Sequence, residues 1–166
     1  MKWKRKQNKK GILFLEILLV FILIFVFVIV ALIATNAYSQ FNAEVNQSTD
    51  MSPMAKNISN TANESFQVLD NISVFLLVGL SVAIVFFSFL IKVHPIFLFI
   101  NILLMPVTLI VTIAFSNAYE LMVASDALAA TSAQMPTMLI MMSKLPYFAV
   151  VFSLIVMVVM YGKREW

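Results

Sequence analysis

Hydrophobic positions along this chain gather into four long runs and show no short-period alternation. The first extends from Ile12 to Ala34, the second from about Ile72 to Ile91, the third from Ile96 to Ser116 and the fourth from Leu145 to Tyr161. Each holds 17 to 23 residues, enough for an α-helix to cross roughly 30 Å of hydrocarbon. Glu16 is the single charge inside the first run, and the other three contain none. The pattern predicts four membrane-spanning helices. The first run exceeds the apolar segment of a secretory signal, about 7 to 15 residues, and no small-x-small site follows it directly, so it reads as a retained span.

The polar stretches between the runs carry their own helical signals. In residues 35–71 the one strong breaker group is Asp50-Met51-Ser52-Pro53, where Asp50 or Ser52 can cap a helix and Pro53 can occupy its first turn. Met54, Ile58, Ala62, Phe66 and Leu69 recur at spacings of three and four on one side of this turn, and Phe41 and Val45 lie four apart on the other. Both arms are therefore expected to be helical with facing apolar stripes, projecting spans one and two about 20 to 25 Å beyond the bilayer. In the second half, segment 117–136 has few breakers before Thr131-Ser132-Ala133-Gln134-Met135-Pro136, and Pro136 is expected to start a helix that runs into span four. Pro106 and Pro146 should kink spans three and four, and Pro95 bars helix continuation in the short turn after Lys92.

The expected fold is all-α: an integral membrane four-helix bundle made of two helical hairpins, with helices extending beyond the bilayer on the outer side. Its parts are a basic tail (1–11), a first transmembrane hairpin (12–92, turn near 50–53) and an inner turn (93–95). A second hairpin (96–161, turn near 131–136) and a short C-terminus (162–166) complete it.

Composition agrees with this class. Apolar residues make up 62% of the chain and charged residues 11%, against about a quarter charged in soluble domains, and the mean hydropathy is +0.98. Placing Lys2, Lys4, Arg5, Lys6, Lys9, Lys10, Lys92, Lys163 and Arg164 inside leaves only Lys56 and Lys144 outside. That asymmetry predicts four spans with both termini cytoplasmic, or interior if the membrane is viral.

Candidate chemistry is sparse. With no cysteine and one histidine, the chain offers no thiolate ligand, thiol nucleophile or His cluster, and no cofactor or metal is expected. The lone His94, in the inner turn, reads as a polar turn residue. The spans hold one carboxylate in total, too few for the paired groups of a membrane-embedded enzyme. That carboxylate, Glu16, is expected to form a buried polar pair with Asn101 in span three, since an ionisable group within a span is expensive alone. Gly79-x-x-x-Ala83 and Ala149-x-x-x-Ser153 are small-x-x-x-small spacings that allow close helix packing, within the chain or against a neighbour. Asn46, Asn57 and Asn63 stand in Asn-x-Ser sequons on the outer hairpin and are glycan acceptors where the host modifies that face; a fourth sequon, at Asn71, lies too near the membrane.

Lys9-Lys10-Gly11 followed by Ile12-Leu13-Phe14-Leu15-Glu16 resembles the class III signal of type IV pilin precursors, a basic leader ending in glycine before an apolar helix with glutamate at its fifth position. The resemblance covers about 25 residues and implies cleavage after Gly11 and an assembly role for Glu16. Pilins have one apolar helix, however, and Ile12 stands where phenylalanine is usual, so no family follows from it.

The expected function is that of a non-enzymatic structural or assembly subunit of a larger membrane-associated particle, a membrane-containing virion or a cell-envelope apparatus. The alternative is a small channel, holin-like pore or proton-coupled transporter using Glu16. The expected partners are the lipid bilayer, other membrane or particle proteins docking on the outer helical extensions, and anionic lipid or nucleic acid at the basic N-terminal tail. An oligomer or hetero-complex is expected, with the eleven methionines adapting at its interfaces.

Overall fold

The computed structural model describes residues 12–90 and 96–162, and the side chains among them except those of 12–16, 90, 96–98, 160 and 161. Glu16's side chain, Lys92, His94, the basic tail and the residues after Gly162 lie outside the described set. Among the described residues the chain is all-helical, with six helices and no strand: α1 (Ile12–Gln47), α2 (Pro53–Leu90), α3 (Ile96–Val123), α4 (Asp126–Ala133), α5 (Pro136–Ser143) and α6 (Leu145–Gly162). Three of them, α1, α2 and α3, are long and apolar enough to cross a membrane, and the bent pair α5 and α6 makes a fourth crossing if counted as one span.

The outer arms are helical as the spacing predicts. α1 has 36 residues and α2 has 38, so each is about 55 Å long at 1.5 Å per residue and outruns the hydrocarbon. Between the two competing caps the structure selects Ser52. Its Oγ accepts the Ala55 backbone N–H at 3.2 Å, with Pro53 in the first helical position, where its missing N–H costs nothing.

The stripes on these arms are covered only in part. Val45 is buried and Ala62, Phe66 and Leu69 are half-buried, but Met54, Ile58 and Phe41 point into the surroundings. Polar groups join the arms near the tip. Ser59 Oγ donates to Asn42 Oδ1 at 2.7 Å, Asn46 Nδ2 to Asn60 Oδ1 at 2.8 Å, and Lys56 Nζ to the Asn46 carbonyl at 2.9 Å. Below them Tyr38 stacks on Phe66 with ring centroids 4.7 Å apart.

The second half departs from the expected single turn. α3 ends at Val123, and Ser125 begins the separate helix α4, its carbonyl accepting the N–H groups of Leu128 and Ala129 at 3.0 Å each. Pro136 starts α5 as expected, but α5 stops at Ser143 and turns by 60° into α6. Pro146 supplies the reason: it has no N–H for the Met142 carbonyl, and its ring collides with that carbonyl in a continuous helix. It therefore lies in the first turn of α6, and the bend it causes falls at the junction of α5 and α6. Pro106 lies inside α3, which continues through it.

α1 packs most closely along α2, and α3 along α6; α2 also meets α6, and α1 meets α3. Aromatic rings tie the pairs together: Phe25 of α1 stacks on Phe115 of α3 at 4.2 Å, and Phe21 meets Phe152 of α6 edge-on at 6.3 Å. α4 and α5 pack against α1, α2 and α3, and Met138 and Met142 are fully buried there. These methionines fill the irregular space between helices that do not run parallel, a use suited to an unbranched, flexible side chain.

Candidate functional site

The interior is more polar than the exterior. On α3 the buried side chains are Asn101, Thr108, Thr112, Ser116 and Tyr119, and on α2 Ser73, Ser81 and Ser88 alternate with Leu77 and Ile84. In lipid, apolar side chains gain nothing by turning inward, whereas small hydroxyl residues let backbones approach. Several of these hydroxyls bond to their own helix: Thr112 Oγ1 donates to the Thr108 carbonyl at 2.9 Å, and Ser88 Oγ to the Ile84 carbonyl at 2.8 Å.

One cluster departs from this local pattern, where α4 and α5 meet the first hairpin. α5 begins with Met135 as its N-cap, and that side chain has no oxygen to accept the free N–H groups of the first turn. Asp70 of α2 supplies the acceptor from across the bundle. Its carboxylate takes the Thr137 N–H at 3.1 Å and the Met138 N–H at 2.6 Å, the two amides that a cap residue normally serves. Only 6% of Asp70 is exposed, so the two charge-assisted bonds and the positive end of the helix dipole offset the cost of burying its charge. Beside this capped end, Thr131 Oγ1 of α4 donates to Asn36 Oδ1 of α1 at 2.9 Å. α1 and α2 thus hold both short helices through the acceptors Asn36 and Asp70. Tyr119 of α3 is fully buried in the same core, and its hydroxyl has no hydrogen-bond partner among the described residues.

Asp70 and Tyr119 carry no motif and are absent from the candidates drawn from the sequence. A signal was present: Asp70, Ser73, Leu77, Ser81, Ile84 and Ser88 recur at spacings of three and four and form the buried face of α2. Thr108, Thr112, Ser116 and Tyr119 do the same on α3, with Asn101 two turns before them on that face.

The sequence candidates are distributed as follows. Asn101 is buried, and its Nδ2 has no acceptor among the described residues. Its expected partner Glu16 belongs to α1, with its side chain outside the described set. The antiparallel register of α1 and α2, fixed by Tyr38 with Phe66, Asn42 with Ser59 and Asn46 with Asn60, brings position 16 level with about position 88. Ala149 and Ser153 are buried on α6, where it meets α2 and α3. Gly79 and Ala83 do not make the matching contact: Gly79 is exposed, with nothing within 4 Å of where a Cβ would stand, and Ala83 is half-buried. Asn57 is exposed, the Asn46 amide is bonded to Asn42 and Asn60, and Asn63 is half-buried with its Oδ1 enclosed.

Among the described residues no group of three or more His, Cys, Asp or Glu side chains is placed to hold a metal ion. Comparison with protein-family models, curated proteins and solved structures finds no match to this chain.

Proposed function

We propose that this protein is a four-span integral membrane protein, with both termini cytoplasmic or interior, that serves as a non-enzymatic structural or assembly subunit of a larger membrane-associated particle. The observation that carries the reading is the paired outer extension of α1 and α2. It is a helical hairpin pinned by Asn42, Ser59, Asn46, Asn60 and Lys56, and it presents Met54 and Ile58 to its surroundings, 74% and 62% exposed. Large apolar side chains held out on a rigid projection suit a docking arm for another membrane or particle protein. The Asp70 cap adds to this by fixing the second hairpin against the base of the arm. In this arrangement α5 and α6 form one broken span, with Lys144 near the outer interface, its ammonium 5.6 Å from the ring centroid of Tyr147. The basic tail meets anionic lipid heads, or nucleic acid where the membrane encloses a genome.

A second reading, a small channel, holin-like pore or proton-coupled transporter, draws on Asn101, whose buried amide lacks a partner among the described residues, together with Glu16. The locally satisfied hydroxyls of Thr108 and Thr112 favour helix packing over a wetted path. Purification of the native protein in mild detergent, with mass determination and identification of co-purifying chains, separates the two. The assembly reading expects a large stable complex; a lone monomer or small homo-oligomer that dissipates an ion gradient in vesicles, and loses that activity in Glu16→Gln, would replace it.

A further inference from the structure

The Tyr119 hydroxyl is buried and donates to nothing among the described residues. A phenyl ring would fill the same space without stranding an O–H group, which costs its desolvation. Asp70 is close enough to act on this hydroxyl electrostatically, yet its carboxylate is committed to the Thr137 and Met138 N–H groups of α5. One buried acceptor thus has two sets of donors around it and serves one of them. The served set belongs to a segment broken from the chain on both sides. α5 follows α4 across Gln134 and Met135, and it turns by 60° into α6 at Lys144. Its N-cap, Met135, makes no side-chain bond, so its first turn depends on Asp70. Apolar contacts hold α5 weakly. Leu139 and Ile140 are exposed while Met138, Met141 and Met142 are buried, and in lipid an apolar side chain gains little by facing inward.

We propose that Asp70 is a latch with two positions. In the first, the arrangement of this structure, it caps α5 and leaves the Tyr119 hydroxyl without an acceptor among the described residues. In the second, its carboxylate accepts the Tyr119 O–H, and α5 swings about its two breaks, releasing the Thr137 and Met138 N–H groups to water at the outer interface. Tyr119 keeps the carboxylate hydrogen-bonded while α5 is away, which a charge held among apolar groups requires. The hydroxyl that is idle in one position is therefore the partner in the other. The exchange supplies a movable segment whose buried methionines reach the surface without leaving a charge unpaired. The parts given to lipid and interfacial water rest on the reading of α5 and α6 as one broken span.

The chain has no cysteine, so the test is the rate at which N-ethylmaleimide labels Met138→Cys in the full-length protein in lipid nanodiscs. Labelling of a buried cysteine reports the population of the open form. Adding Tyr119→Phe removes the bond of the second position and is expected to slow labelling about threefold or more, the effect of one polar contact between membrane helices. Adding Asp70→Ala removes two bonds from the first position and one from the second, and is expected to speed labelling about tenfold or more. Ala149→Cys, buried on α6, reads general opening of the bundle, and Tyr119→Phe is expected to change its rate less than about twofold. Labelling of Met138→Cys that is unchanged or faster in Tyr119→Phe, or slowed equally at Ala149→Cys, would overturn the proposal. So would Asp70→Ala without acceleration; where that variant loses helical content by circular dichroism, Tyr119→Phe decides. Accessibility of a spin label at Ile140→Cys to dissolved oxygen and to an aqueous paramagnetic reagent checks separately that α5 faces lipid, so a fixed latch and a wrong span assignment are distinguishable.

Discussion

The carboxylate of Asp70 accepts the backbone N–H of Met138, 68 residues away in the chain, at 2.6 Å. A helix whose own cap residue is methionine is thereby capped from a neighbouring helix. Asp70→Ala removes both acceptor oxygens and leaves one buried and one partly buried amide without a partner, which costs about 1–3 kcal/mol. Asp70→Asn keeps one acceptor oxygen and should lose less than Asp70→Ala. Thermal unfolding in detergent, followed by circular dichroism, reads the difference; equal stability of Asp70→Ala and the parent would show that the cap contributes nothing.

Tyr119 leads to an opposite expectation. Its ring fills core space, but its hydroxyl is buried without a partner among the described residues. Tyr119→Phe should hold or raise stability by up to about 1 kcal/mol, whereas Tyr119→Ala should lose about 3–5 kcal/mol through the cavity it opens. A loss above about 1 kcal/mol in Tyr119→Phe would mean that the hydroxyl is bonded.

The three long apolar helices and the helical arms that continue α1 and α2 were legible in the sequence because their signals are local. Run length gives a crossing, and Ser52-Pro53 gives a helix start. The break after Val123 had a local signal too, Ser125 before Asp126, weaker than the proline group further on. The Asp70 cap had none, since nothing near Met135 in sequence indicates that its acceptor lies on α2. The outward turn of Met54 and Ile58 was hidden for a related reason: spacing identifies a face but not what that face meets. Gly79 and Ala149 show the same limit, with the same kind of motif facing away from this chain in one case and into its core in the other.

Phe25 and Phe115 connect α1 to α3 by a nearly parallel stack, 7° between ring planes. A double-mutant cycle with Phe25→Leu and Phe115→Leu should give a coupling of about 0.5–1.5 kcal/mol. Additive losses would show that the rings contribute only their separate burial.

Glu16 can be assigned a partner by the same method. The register between α1 and α2 brings position 16 level with about position 88, so Glu16→Gln should couple to Ser88→Ala by about 0.6 kcal/mol, the average for polar contacts between membrane helices. Coupling to Asn101→Leu and none to Ser88→Ala would assign it instead to the pair expected from the sequence.

The four-span orientation underlies the placement of the outer arm, the Asp70 cap and the basic tail. Its most direct measurement is labelling of single-cysteine variants in intact cells or particles with a membrane-impermeant maleimide, using Thr49→Cys at the tip of the arm, Ala127→Cys in α4 and His94→Cys in the inner turn. Labelling is predicted at positions 49 and 127 without permeabilisation, and at position 94 only after it. Labelling of position 94 from outside, or protection of position 127, would contradict the proposed topology.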